Sequence, residues 1–358
     1  MIPQPATHAP ATHAPATHAP ATHAPATHAP ATHTPATHED ETAERLARRP
    51  WPATPIRPGI DVSFEFFPPA TPAGEANLTR CAEQLAPLAP SFVSVTYGAG
   101  GTTQDRTQAA VQRLAHSTDL SVAGHLTCVG ATREQVGSVI DDYLAVGVNH
   151  IVALRGDAPE GQSTETVAGG YTDAIELVAG IREHVAGTDA ADVQISVGAY
   201  PEVHPKASSP KADLDNLKRK LDAGADRALT QFFFDTDAFL RFLDTARSAG
   251  ITQPIVPGIM PVTNFANIVR FSERCGTHVP AWMHELFAGL DDAPEVHQMI
   301  AATVAAEQCR RLAEHGVNQF HFYTMNRPEL TAATCRILGV KPDAATSART
   351  SNASAHAS

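Results

Sequence analysis

The residues of this sequence best suited to chemistry begin with a glutamate inside an aromatic strand, Ser63-Phe64-Glu65-Phe66-Phe67-Pro68-Pro69, where the proline pair stops the strand. A carboxyl between apolar neighbours loses water at a cost borne chiefly by its charged form. The segment therefore predicts a raised pKa at Glu65 and a proton transferable near neutral pH. Glu65 is a candidate general acid. The alternative is a glutamate that faces solvent or pairs with an arginine, the commoner fate of a strand carboxylate.

Further polar groups collect at the ends of other apolar runs. Thr96-Tyr97-Gly98-Ala99-Gly100-Gly101 follows one, His125-Leu126-Thr127-Cys128 closes another, and Arg155-Gly156-Asp157 a third. Tyr200-Pro201-Glu202-Val203-His204-Pro205, Gln231-Phe232-Phe233-Phe234-Asp235 and Tyr323-Thr324-Met325-Asn326-Arg327 extend the pattern. Singly, each has a structural explanation: a flexible glycine loop, a hydrogen-bonded core histidine, an ion pair. Their recurrence at strand ends is what packing alone does not explain. A basic cluster of Lys206, Lys211, Lys218, Arg219 and Lys220 suits a phosphate or pyrophosphate at a helix starting near Asp213. A solvated helix face paired with Asp213 and Asp215 is the competing reading.

The elements that must position these groups alternate along the chain. Short β-branched or aromatic runs fall at 61–67, 91–96, 121–126, 150–154, 193–197, 227–232, 254–258 and 319–323. Helical patterns lie between them at 74–86, 106–116, 133–145, 172–185, 212–223, 236–249 and 294–315, and the long last connection leaves room for an extra helix around 281–288. Eight such units predict an α/β fold, a closed (β/α)8 TIM barrel with extra helix in the last connection, in preference to an open doubly wound sheet. No Gly-x-Gly-x-x-Gly follows the first strand. Active sites of such barrels lie at the carboxyl ends of the strands, where the polar groups above collect.

Composition narrows the class. The 358 residues are 43% hydrophobic, enough for a sizeable core, and carry a formal charge of −12, which argues against a nucleic-acid surface. No apolar run approaches the roughly 18 residues of a membrane span. The five cysteines are scattered, without a Cys-x-x-Cys pair, and no signal peptide is evident, which predicts a cytoplasmic protein acting on small molecules. No lysine ends a strand and the first strand has no histidine, against a Schiff-base enzyme and a metal-dependent hydrolase respectively. No metal site is expected. Residues 1–38 repeat Ala-Thr-His-Ala-Pro, with histidines about 15 Å apart in extended polyproline geometry. Residues 1–50 are expected to be a disordered tail and linker, 51–341 the barrel, and 342–358 a second loose end.

In this order the motifs resemble the 5,10-methylenetetrahydrofolate reductase family over about residues 57–341. Leu154-Arg155-Gly156-Asp157, Asn216-Leu217-Lys218-Arg219-Lys220, Pro257-Gly258-Ile259-Met260-Pro261 and His321-Phe322-Tyr323-Thr324-Met325-Asn326-Arg327 join the segments above in carrying the likeness. The resemblance implies a flavin-binding (β/α)8 barrel that reduces 5,10-methylenetetrahydrofolate to 5-methyltetrahydrofolate. Hydride would pass from NADH or NADPH through FAD, with Glu65 as general acid and Asp157 beside flavin and pterin as the second catalytic residue. Cofactor contacts implied are Thr96, Tyr97, Ala99 and His125 from the first strand ends, then Arg155, Gly156, Asp157 and Thr172. Tyr200, His204, Ala207, Asp213, Asn216, Arg219 and Lys220 complete them. Substrate contacts implied are Asp157, Gln231, Asn267, Phe271, Tyr323 and Arg327. Thr172 stands where the family has a small apolar flavin contact, and Asn267 where it has a glutamine. The likeness further implies a homo-oligomer without a C-terminal regulatory domain. A barrel that binds folate or flavin without turnover, or a flavin reductase with another acceptor, remains the alternative.

Overall fold

A computed structural model describes residues 59–97, 104–157 and 167–342. The expected tails, and the Gly98–Gly101 loop with Ala99, lie outside the described residues. Eight parallel strands close into a barrel in sequence order: β1 (Asp61–Phe66), β2 (Phe92–Val95), β3 (Val122–Thr127), β4 (His150–Leu154), β5 (Gln194–Ala199), β6 (Arg227–Phe232), β7 (Ile255–Ile259) and β8 (Gln319–Tyr323). The helices that follow the first six strands are α1 (Pro72–Leu85), α2 (Gln104–Ser117), α3 (Arg133–Ala145), α4 (Ala174–Val185), α5 (Pro210–Asp222) and α6 (Thr236–Ser248). The last connection holds α7 (Phe265–Cys275), α8 (Ala281–Phe287) and α9 (Pro294–Glu314), and α10 (Pro328–Ile337) follows β8.

The predicted (β/α)8 architecture is the observed one. Two helices were not anticipated, α7 and α10. Their signals were present: Asn264 caps α7 by accepting from Asn267 N–H, Gly276 at φ 72° ends it, and Pro328 opens α10. The helix expected from residue 172 begins at Ala174 instead, because the Asp173 carboxylate accepts from the N–H groups of Ile175 and Glu176.

Strand alternation sorts side chains into two layers. On β1, Phe64 and Phe66 point outward and pack in one buried cluster with Leu78, Cys81 and Leu85 of α1. Ser63 and Glu65 share the opposite face. A smaller cluster of Phe92, Ala123, Val152, Leu229 and Val256 plugs the barrel interior. Each fully buried phenylalanine contributes roughly 2–3 kcal/mol of transfer free energy, so the outer layer fixes which face of β1 is inward.

The ends of β1 and β8 are tied together above this plug. Asn326 accepts from Phe67 N–H and donates to Phe67 C=O, both at 2.9 Å, and Thr324 Oγ1 donates to Glu65 C=O at 2.7 Å. Met325 and Asn326 have φ of 53° and 51°, a left-handed pair uncommon outside glycine. The amide fork holds that turn, and the prolines after Phe67 cannot extend the sheet.

Candidate active site

Glu65 is 6% exposed and its carboxylate meets imidazoles from two distant strands. Its Oε2 lies 3.2 Å from His321 Nε2, in hydrogen-bond geometry, and 3.2 Å from His125 Nε2. The His125 contact has ion-pair distance but lacks hydrogen-bond alignment, which leaves Nε2 among the buried polar atoms without a satisfied partner. Ser94 Oγ is a longer donor at 3.4 Å. Burial pushes the Glu65 pKa up, but the nearby His125, then His321, outweigh it and hold the carboxyl at about 2. The raised pKa expected from the aromatic flanks is therefore corrected. Those flanks face outward, and the environment of Glu65 is set by β3 and β8.

Beyond β3 the mouth is lined by loop residues. Gly156 has φ 83°, and a Cβ there would come 2.8 Å from Thr127 Cβ, so the turn after β4 requires glycine. It presents Asp157, whose carboxylate accepts from Lys206 Nζ at 2.6 Å with both side chains well exposed. Tyr200 and His204 rings meet edge to face at 4.4 Å. Burial raises the hydroxyl pKa of Tyr97 and of Tyr200 to about 12, and lowers that of His204. Both phenols are thereby kept as neutral donors and acceptors.

Helix α5 starts at Ser209, whose hydroxyl accepts from Ala212 N–H, and the spacing of Asp213, Asn216 and Lys220 puts them on one helix face. Asp213 accepts from His204 N–H at 2.9 Å, joining the helix to the β5 loop. The basic cluster divides by geometry. Lys211 forms an exposed pair with Asp215, as the solvated-face reading expected, and Lys218 pairs with Asp222 while Asp213 turns to His204. Lys206 turns to Asp157, and Lys220 donates inward to Gly198 C=O. Lys220 is half-buried, and burial lowers its pKa to about 8. Arg219 is exposed and has no acidic partner among the described residues.

On the opposite side of the mouth, Tyr323 donates to Thr230 C=O at 2.8 Å, and Gln231 Oε1 accepts from Phe232 N–H. Phe271 of α7 stacks on Phe232, with centroids 5.4 Å apart and planes 13° from parallel. Asn267 sits exposed in the first turn of α7, held to Arg270. Arg327 lines a cavity of about 440 Å³ with Arg80, Asn77, Gln298 and Met325.

A sequence model described as methylenetetrahydrofolate reductase matches residues 57–339. The chain belongs to the methylenetetrahydrofolate reductase family. It is 48% identical over 288 residues to the 5,10-methylenetetrahydrofolate reductase of Pectobacterium carotovorum, covering 80% of this chain and 92% of that one. The Escherichia coli K12 enzyme of the same name is 47% identical over 283 residues, with 79% and 92% covered. An uncharacterized Clostridium thermocellum protein that binds two copies of 5-methyl-5,6,7,8-tetrahydrofolic acid shares the fold, with TM-score 0.52 and 12% identity over 83% of this chain and 97% of that one.

Set in the methylenetetrahydrofolate reductase barrel, the sequence-predicted residues separate into places. Glu65, His125, Thr96 and Tyr97 end β1 to β3 or follow them, Arg155 to Asp157 follow β4, and Tyr200, His204 and Ala207 follow β5. Gln231 and Tyr323 close β6 and β8. Asn267, Phe271 and Arg327 stand on the β7 and β8 connections, and Thr172 is exposed just before α4. Two residues that shape the site were given no role from sequence, His321 and Ser63, and Lys206, read there with the basic cluster, pairs with Asp157 instead. Strand periodicity carried a signal for the first two, since Ser63 is two positions before Glu65 and His321 two before Tyr323, each pair sharing a face. The pairing of Lys206 with Asp157 carried no signal, because the two are brought near only by the adjoining loops. Among the described residues, no helix is long and apolar enough to cross a membrane.

Proposed function

We propose that this protein reduces 5,10-methylenetetrahydrofolate to 5-methyltetrahydrofolate using FAD and NADH or NADPH. The observation that carries the reading is the buried Glu65 at the carboxyl mouth of a barrel of this family, with Asp157 in the turn that follows β4. The chain's residues fit FAD in chemical kind. The half-buried Lys220 and exposed Arg219 offer charge for a pyrophosphate, and His125 Nε2 is buried without an aligned partner. When bound, FAD would supply the hydride link between the nicotinamide donor and the folate methylene carbon.

Glu65 Oε2 passes a proton to the folate nitrogen as the five-membered ring opens, a step that needs an acid because the leaving nitrogen is weakly basic. Asp157 carries negative charge near the cation that develops on the substrate, and Lys206 steadies that carboxylate in the resting site. Gln231, with one acceptor and two donors, reads the pterin edge. Phe271, backed by Phe232, offers a flat apolar face to the aromatic side chain, and Arg327 a cation for its carboxylates.

The test is an anaerobic absorbance scan of the protein with FAD, adding NADH and then methylenetetrahydrofolate. Bleaching at the flavin maximum followed by recovery on adding folate is expected. Bleaching without recovery would identify a flavin reductase with another acceptor. No bleaching with NADH, NADPH or a reduced protein donor would leave a binding protein without turnover.

A further inference from the structure

A carboxylate held at about 2 is ionised at neutral pH, yet ring opening consumes a proton in every turnover. A proton carrier in hydrogen-bond contact with Glu65 would supply it. His321 is fully buried and bonded at both nitrogens: Nε2 contacts Glu65 Oε2 at 3.2 Å and Nδ1 contacts Ser63 Oγ at 2.8 Å. The serine hydroxyl can donate to a neutral Nδ1 or accept from a protonated one by rotating. His321 is thus satisfied in either charge state, which is what a proton store requires. His125 lies equally near Glu65 but lacks the aligned hydrogen bond.

We propose that His321, with Ser63, is a positioning residue that holds the proton Glu65 delivers to the substrate. In this proposal the resting proton is carried by His321, whose Nε2 lies 3.2 Å from the Glu65 carboxylate. As substrate reacts, the Nε2–H bond breaks and Oε2–H forms; then Oε2–H breaks as the folate nitrogen takes the proton. This leaves neutral His321 and a Glu65 carboxylate. After product leaves, a proton from water restores the imidazolium.

The groups facing His321 allow this. Glu65 from β1 supplies the only carboxylate in contact with it among the described residues, and His125 from β3 meets the same oxygen. Phe92 from β2 stacks on it with centroids 5.6 Å apart and also meets His150 of β4, at 4.4 Å. Tyr323 on its own strand contacts it edge-on, and Gly258 of β7 is its backbone neighbour. His150 is bonded to Ser196 of β5 and held neutral by burial and by Arg227 of β6, with a pKa near 3. Phe92 packs against both rings, and among the described residues no side-chain hydrogen bond joins His321 to that pair.

This inference rests on the reductase reading, and the test separates the two. In rapid-mixing experiments, flavin-loaded wild type, Glu65→Gln, His321→Gln and Ser63→Ala are reduced with NADH and then mixed with methylenetetrahydrofolate across pH 6–9. Glutamine at 321 keeps an N–H donor but cannot carry a proton, so it would rescue a merely structural role. His321→Gln is expected to slow the folate step at least tenfold and move the alkaline limb of its pH profile at least one unit lower, with flavin reduction within twofold of wild type. Ser63→Ala should give a smaller change in the same direction. In the flavin-free protein at pH 7.5, nitrogen-15 NMR should show a buried imidazolium signal that His321→Gln removes. A His321→Gln folate step within threefold of wild type with an unmoved limb overturns the proposal. So does the lack of that imidazolium, a measurement that holds even if the variant misfolds. A full folate step in Glu65→Gln would instead remove the acid reading beneath it.

Discussion

Replacing Glu65 by glutamine tests the corrected electrostatics directly, apart from any turnover. The carboxyl has a folded pKa of about 2 against the ordinary 4.5, a difference worth about 3 kcal/mol. Because the folded value is the lower one, this stabilisation is complete above pH 4.5 and is lost as pH falls towards 2. The linkage relation puts roughly 1 kcal/mol of that loss between pH 6 and pH 3.5. Urea unfolding of wild type and Glu65→Gln at those two pH values measures the contribution of Glu65 together with its two imidazole partners, since all other carboxylates titrate in both proteins. Wild type should lose about 1 kcal/mol more than the variant on acidification. An equal loss would refute the pairing with His125 and His321. A smaller loss in wild type would restore the raised pKa that the aromatic flanks alone imply.

Gly258 tests the packing beneath the substrate side. A Cβ there would come 2.2 Å from Thr230 C=O and 2.6 Å from the Tyr323 ring, and the carbonyl belongs to the sheet and cannot yield cheaply. Gly258→Ala should cost about 3 kcal/mol, the upper range for overpacking, and an unchanged urea midpoint would show that the strands separate more readily than described. The divided basic cluster predicts unequal effects on FAD affinity, measured by fluorescence titration. Arg219→Ala should weaken binding about tenfold, the loss of one charge-assisted hydrogen bond, whereas Lys218→Ala, already paired with Asp222, should stay within twofold. Equal effects would return the whole cluster to a solvated helix face.

The sequence by itself determined the barrel and the side of it that bears chemistry. Alternating β-branched runs and amphipathic helices have local periods, and residues such as Asp157, Tyr200 and Gln231 stand at or just after strand ends whatever their distant neighbours are. Local signals also marked α7 and α10 through Asn264, Gly276 and Pro328, although these were subtler than strand runs. Tertiary structure alone decided the state of the central carboxylate. Its chain neighbours Phe64 and Phe66 leave for the outer layer, while His321 reaches it from 256 residues away. Closure of β8 onto β1 places Ser63 opposite His321 and Glu65 opposite Tyr323. The same holds for Lys206 and Asp157, joined across 49 residues by two adjoining loops. Burial and charge act through space, falling off with distance rather than with separation along the chain, so a pKa argued from flanking residues fails where strand alternation turns those residues away.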